Sequence, residues 1–168
     1  QVALLHAMAS GFNIRDPASA PNAFFAHFES RRHHLRVPDV RFVGLFCTPL
    51  VTGAEFRRTR HRPGVRQAIE AAREVDIVVT SGSCWADEHS QLHNLIAEAP
   101  DIEKALLDAG VVGDMLWRPL DASGTPLSVP DAPQAVTLMA LTELPEFIRG
   151  GGKVLLALGP CGACGRPK

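Results

Sequence analysis

The sequence predicts an α/β protein in which an open, mostly parallel sheet is flanked by helices. Short apolar segments alternate along the chain with segments of helical periodicity, and this alternation is typical of such folds. Hydrophobic residues make up 46% of the 168 positions, and the formal net charge is −1. These values describe one globular domain with a substantial core, and they exclude a disordered chain.

The chain is predicted to begin with a short apolar strand over residues 2–5, followed by a polar loop over 10–21. A helix over 22–34 comes next, with Phe24 and Phe28 on one face. Together these segments give the first strand and helix of the alternating pattern.

A strand over 40–46 and an amphipathic helix over 64–74 continue the pattern. The helix has apolar residues at i, i+3, i+4 and i+7, namely Val65, Ala68, Ile69 and Ala72. The next segment, 76–80, is rich in β-branched residues, which is typical of a parallel strand covered on both faces. It leads into the small-residue turn 81–83.

In the second half, Asp101 is predicted to cap a helix that ends at Gly110, because aspartate is a favoured N-cap and glycine a favoured C-terminal stop. The remaining predicted elements are strands over 111–116, 135–138 and 153–158, and a short helix over 141–148.

Two turns of small residues follow predicted strands, and ligands of open α/β sheets bind beyond the carboxyl ends of strands. The first turn covers 80–83, where glycine lets a ligand approach the backbone. The second, 159–168, is rich in glycine and also carries Arg166 and Lys168. Basic side chains beside glycine-rich turns suit a phosphate, so the sequence indicates an anion site.

A third candidate is Gly113–Asp114 at the start of an apolar segment, followed by a polar tip from Asp121 to Thr125. A carboxylate at a strand edge accepts hydrogen bonds from the hydroxyl groups of a ligand. We therefore expect Asp114 to contact the ligand.

The Cys161-Gly-Ala-Cys164 motif favours a structural or incidental role, and a zinc site or a redox pair remains open. A zinc site needs further ligands, for which the candidates are Cys47, Cys84, His89 and His93. We predict no metal and no cofactor.

Two basic runs, 31–36 and 57–62, could contact phosphates, but the near-neutral charge of the chain favours solvated surface. No apolar run has the ~18–20 residues that span a bilayer, and no signal peptide is evident. We expect a cytoplasmic protein without membrane contact.

The order of these motifs resembles the effector-binding domain of SorC-type (SorC/DeoR-like) sugar-binding transcriptional regulators of bacteria. That domain has a Rossmann-like fold similar to ribose-5-phosphate isomerase and CoA transferases. The similarity covers most of the chain and is most specific over 109–114 and 121–126. Residues 163–168 look like a variant of the family's Ala-Gly-Gly-x-x-Lys loop.

The resemblance implies that the chain binds a phosphorylated sugar and is not an enzyme. Asp114 would hold the sugar hydroxyls and Lys168 would pair with the phosphate. The other ligand-binding positions would be Gly82, Ser83, Gly113 and Gly165. It also implies a homo-oligomer in the full-length protein, which would contact DNA through a helix-turn-helix domain absent from this chain.

By the same resemblance we expect the chain to be a partial domain, truncated at both ends. One alternative is an enzyme on the same scaffold, a sugar-phosphate isomerase or deaminase with its general base among Asp87, Glu88 and Asp114. Another is a zinc-stabilised module built on Cys161 and Cys164.

Overall fold

The computed structural model describes residues 3–9, 17–20, 22–35, 40–87 and 89–159. These residues form two compact units, the first from the described residues up to 75 with 134–139, the second from the remainder. The mixture of helices and parallel strand pairs confirms the predicted α/β class. Among the described residues, no helix is long and apolar enough to cross a bilayer.

The strands, in chain order, are β1 (Ala3–His6), β2 (Val40–Val43), β3 (Leu50–Val51), β4 (Ile77–Thr80), β5 (Gly82–Cys84), β6 (Gly113–Met115), β7 (Arg118–Leu120), β8 (Gln134–Ala135) and β9 (Lys153–Leu156). The helices are α1 (Ala23–Leu35), α2 (Gly53–Arg60), α3 (Pro63–Ala71), α4 (Gln91–Ile96), α5 (Pro100–Asp108) and α6 (Leu144–Arg149).

In the first unit, β1 pairs in parallel with β2, and α1 packs on this pair. The Phe25 and Phe28 rings lie 4.9 and 6.2 Å from the Phe42 ring. The prediction that Phe24 and Phe28 share one face is confirmed by their ring contact, with 6.2 Å between the centroids, and Phe24 itself is 55% exposed. Residues 25 and 28 are one helical turn apart, so they share the face that meets the strand.

The core of the first unit combines the predicted face of α3 with residues distant in sequence. Its buried members are Leu45, Val51, Val65, Ala68, Ala72, Val136 and Leu138. Antiparallel pairing of β3 with β8 brings the distant segment into place. The helix predicted over 64–74 is thus confirmed, with its apolar stripe facing the core.

In the second unit, β4 and β9 form a parallel pair, and both strands agree with the prediction. The strand predicted over 111–116 is confirmed for residues 113–115, which form β6, and its predicted ends are wrong. The chain instead turns back after Met115 through Leu116 and Trp117, which have positive φ angles of 50° and 59°. Such a turn matches the twist of a hairpin, and it joins β6 to β7. Strand β5 pairs antiparallel with the other edge of β6, which completes a three-stranded sheet.

The helices of the second unit differ from the prediction at two points. Helix α4 was not expected, and α5 begins at Pro100, with Asp101 in its first turn instead of at the cap. A negative charge there still interacts favourably with the helix dipole. Gly110 has φ +84° and follows the end of α5, as predicted.

Candidate functional site

The first small-residue turn and the last described residues after β9 lie at the same edge of the β4–β9 pair. Thr80 pairs with Leu156, and the Ala157 N–H donates to the Thr80 carbonyl at 2.9 Å. A Leu158 methyl lies 3.8 Å from the point where a side chain on Gly82 would begin. Residues 80–83 and 157–159 therefore lie together at the carboxyl end of this pair. The rest of the predicted second turn, 160–168, lies outside the described residues.

Strand β5 carries Ser83 from this edge to a position opposite Asp114. In the antiparallel pairing of β5 with β6, Ser83 is the register partner of Asp114, and Cys84 is the partner of Gly113. The structure thus brings together four residues that the sequence singled out separately: Gly82, Ser83, Gly113 and Asp114.

The half-buried Asp114 carboxylate is held by two hydroxyl groups. The Ser83 hydroxyl donates to Oδ2 in a short hydrogen bond, and the Ser90 hydroxyl donates to the same oxygen at 3.1 Å. Hydrogen bonds to an ionised acceptor are stronger than neutral ones. The two serines therefore fix the carboxylate, which can accept hydroxyl donors, beside the edge formed by residues 80–83 and 157–159.

Ser90 is the residue of this site that sequence analysis missed. It is 1% exposed and forms the N-cap of α4, where its hydroxyl oxygen accepts the His93 N–H at 3.1 Å. The same hydroxyl donates to Asp114. A serine before the apolar pattern Leu92–Ile96 is an N-cap signal, and it could have indicated both the helix and the buried hydroxyl.

The two glycines of the site permit the close approach of β5 and β6. A Cβ on Gly113 would lie 2.3 Å from the Ser83 carbonyl oxygen, and one on Gly82 would lie 3.2 Å from the Asp114 carbonyl oxygen. Strand packing alone thus requires glycine at position 113. This close approach also keeps the Ser83 hydroxyl within reach of the Asp114 carboxylate.

Asp87, one of the candidate general bases, is part of the turn between β5 and α4. It is 1% exposed, and its Oδ1 accepts the His89 N–H at 3.0 Å. Its own N–H donates to the Cys84 carbonyl at 3.0 Å, and the Ser90 N–H donates to its carbonyl at 2.9 Å. These contacts give Asp87 a structural role in placing Ser90.

His93, one of the candidate zinc ligands, connects α4 to α5. Its Nε2 lies 3.1 Å from Glu103 Oε1, and its ring lies 5.0 Å from that of the buried Trp85. Nowhere in the part of the chain that the structure describes do three metal-ligating side chains cluster. Zinc ligation that depends on Cys161 and Cys164 concerns residues outside the described ranges.

The carboxylate of Asp121 binds its own turn. Its Oδ1 accepts the Ser123 hydroxyl at 2.6 Å, the Ser123 N–H at 2.8 Å and the Thr125 N–H at 2.9 Å. Gly124, at φ +81°, completes the turn. The Ser123 hydroxyl, followed by the Thr125 amide, lowers the pKa of Asp121 from its ordinary 3.8. The polar tip noted in the sequence is therefore a self-contained turn.

This lowered pKa predicts a pH-dependent contribution to stability. Because the folded pKa is below the unfolded one, the contribution is fully present above pH 3.8 and is lost as pH falls further. We expect Asp121→Asn to lower the melting temperature slightly at neutral pH, and the difference from wild type to vanish in acid. Asp131→Asn, at an exposed aspartate, is the control. A difference that persists at low pH would contradict this assignment.

Two predicted ligand-binding residues, Gly165 and Lys168, lie outside the described residues, as does Glu88. For the remaining four, Gly82, Ser83, Gly113 and Asp114, the structure gives one connected arrangement in the second unit. No protein-family model matches the chain, and no curated protein matches it by sequence.

Several solved structures share its fold. A DeoR family transcriptional regulator from Listeria monocytogenes has a TM-score of 0.61 and 14% identity, over 91% of this chain and 65% of that one. A domain named for sugar binding, from a transcriptional repressor of Vibrio fischeri, has a TM-score of 0.57 and 10% identity, over 94% of this chain and 59% of that one. A domain of a regulator from Arthrobacter aurescens TC1, also named for sugar binding, has a TM-score of 0.52 and 10% identity, over 93% of this chain and 67% of that one.

At these identities the likeness establishes the fold. The chain spans 65% of the length of the Listeria structure and 59% of the Vibrio one. The α/β architecture expected from the sequence is therefore the one found in these regulators.

Proposed function

We propose that this chain is the effector-binding part of a bacterial transcriptional regulator, and that its effector is a phosphorylated sugar. The shared fold with regulator domains named for sugar binding supports this proposal. The Ser83–Asp114–Ser90 cluster, beside the carboxyl end of the β4–β9 pair, is the observation that carries it.

Asp114 suits a polyhydroxylated ligand because its carboxylate is already bound by hydroxyl groups. The Ser83 and Ser90 hydroxyls donate to it, and the hydroxyls of a sugar offer the same donor chemistry. In the proposed complex, sugar hydroxyls replace or join these serine donors. Ser83 then acts as donor or acceptor to the ligand, and the backbone around Gly82 and Gly113 forms the adjacent wall.

In this proposal, the segment that follows β9 binds the phosphate group of the ligand. That strand ends beside β4, and Leu158 lies against Gly82. The glycine-rich sequence after it ends in Lys168, ten positions beyond Leu158. A lysine ammonium forms charge-assisted hydrogen bonds with phosphate, and Gly165 would let the backbone approach the same group. A ligand held by Asp114 and Lys168 would then carry hydroxyls at one end and a phosphate at the other.

The remaining parts of the proposal concern the whole regulator. Ligand binding would favour one arrangement of a homo-oligomer and so change the DNA affinity of a separate helix-turn-helix domain. Membership of the SorC type is part of the same proposal. The chain's own role is binding, without catalysis.

Titration with a panel of phosphorylated sugars tests the function. We expect at least one to bind saturably and raise the melting temperature, while its unphosphorylated counterpart binds more weakly. Asp114→Asn should weaken binding at least about tenfold, a loss of about 1.4 kcal/mol, because the amide replaces one anionic acceptor with a donor.

Asp131→Asn, at an exposed position of the same unit, should leave binding unchanged. Equal affinity in wild type and the Asp114→Asn variant would refute the assigned site. Conversion of a panel member into a product would instead support the isomerase or deaminase alternative.

Lys168→Gln should lower affinity for the phosphorylated sugar while leaving affinity for its unphosphorylated counterpart unchanged.

A further inference from the structure

A groove between α2 and α3 in the first unit has four arginines among the eight residues that line it. It has a volume of about 340 Å³, and its walls include Arg57, Arg60, Arg66 and Arg73. None of these residues belongs to the proposed sugar site, whose residues lie in the second unit. The groove contains part of the basic run 57–62 noted in the sequence.

Helical spacing explains why the arginines face the same groove. On α3 and the helical turn that follows it, Arg66, Glu70 and Arg73 stand at i, i+4 and i+7, which is one face of a helix. On α2, Arg57 and Arg60 are one turn apart. The neighbouring Arg58 is exposed but does not line the groove.

The positive charge of the groove is only partly balanced. Glu70 is the one carboxylate in its lining, and it pairs with Arg66 at 3.7 Å. Within the described ranges, no ion pair forms at Arg57, Arg60 or Arg73. Four arginines against one glutamate leave a net charge of +3. Like charges at this density repel one another and destabilise the folded state, so a bound anion would be stabilising.

The floor of the groove positions at least one guanidinium group. Phe56 and Ile69 are partly buried against the core, and the Arg60 guanidinium lies 5.5 Å from the centre of the Phe56 ring. A cation–π contact of this kind holds the side chain in place. The planar guanidinium group of arginine can donate two parallel hydrogen bonds to the oxygens of one phosphate.

We propose that this groove binds a small polyanion that carries two or more linked phosphate groups. The volume lies at the lower end of the range of about 300–1,000 Å³ for small-molecule sites. Its concave shape and the near-neutral charge of the whole chain favour a small ligand over a nucleic acid duplex. Two linked phosphates would bridge the arginines of α2 to those of α3.

Thermal unfolding of the 168-residue chain with pyrophosphate and tripolyphosphate tests this proposal. At constant ionic strength, saturating polyphosphate should raise the melting temperature by about 2–4 °C or more, with sodium chloride at matched ionic strength as the reference. The double variant Arg57→Gln/Arg73→Gln should lose this response. Its melting temperature without ligand should be equal to or higher than that of wild type, because like-charge repulsion is relieved.

Two control variants separate this groove from other sites. Arg58→Gln removes a charge from the same helix outside the groove, and Asp114→Asn alters the proposed sugar site; both should keep the polyphosphate response. A response that survives in the Arg57→Gln/Arg73→Gln variant would overturn the proposal. So would a short DNA duplex or an acidic peptide that binds the groove more tightly than tripolyphosphate does.

Discussion

Replacing Gly113 with alanine is expected to destabilise the folded chain by about 2–3 kcal/mol. The added methyl would lie 2.3 Å from the Ser83 carbonyl oxygen, and its next neighbours, at 3.4 and 3.5 Å, are also backbone atoms. A backbone atom cannot rotate aside as a side chain does, so β5 and β6 must separate. Urea denaturation should show a lower midpoint, and sugar-phosphate binding should weaken because Ser83 moves relative to Asp114.

Gly64→Ala is the matched control for this substitution. Gly64 lies in the first turn of α3, and an added Cβ would meet nothing within 4 Å. Alanine in a helix is favoured over glycine by about 0.5–1 kcal/mol, so this variant should be slightly more stable than wild type. An unchanged midpoint in Gly113→Ala would show that the two strands are not held as closely as described.

Ser90→Ala is the second substitution with a large expected effect, a loss of about 2.5–4 kcal/mol in the free energy of unfolding. It removes the N-cap of α4, worth about 1 kcal/mol, and a hydrogen bond to a carboxylate, worth about 1.5–3 kcal/mol. Ser81→Ala applies the same change at an exposed position of the same unit. That control should stay within about 0.5 kcal/mol of wild type.

A double-mutant cycle with Asp114→Asn separates the two roles of Ser90. The cap on the His93 N–H remains when only Asp114 is changed, whereas the hydrogen bond to the carboxylate is lost in both variants. Residues in contact couple by about 0.5–3 kcal/mol. Additive effects would mean that the Ser90 hydroxyl acts only as a helix cap.

Periodicity predicted the elements whose apolar residues recur regularly. The stripe of α3 has Val65, Ala68 and Ala72 buried, as expected, and the β-branched run of β4 pairs in parallel with β9. Helix α2 has no such stripe, because most of its side chains are charged. The available signal was Thr52 followed three residues later by Glu55, the spacing of a capping box; the Thr52 hydroxyl donates to the Glu55 carboxylate at 2.9 Å.

The hairpin of β6 and β7 could not be predicted from turn signals. Two-residue hairpin turns with positive φ favour Asn-Gly or Asp-Gly, whereas this one uses Leu116 and Trp117. The sequence indicated Asp114 because a carboxylate at a strand edge can accept hydrogen bonds from ligand hydroxyls, and Gly113 because it directly precedes Asp114. It could not supply Ser90 as a partner, because the two positions are 24 residues apart and meet only through folding.

The first unit is completed by a segment synthesised long after the rest of it. Residues 134–139 supply β8 and the buried Val136 and Leu138, while positions 76–133 belong to the second unit. On the ribosome, the first unit therefore stays incomplete until residues 134–139 have been synthesised, after positions 76–133 of the second unit have emerged. Release of a nascent chain ending at position 133 should leave Leu45 and Val51 without these partners, prone to aggregation and dependent on chaperones.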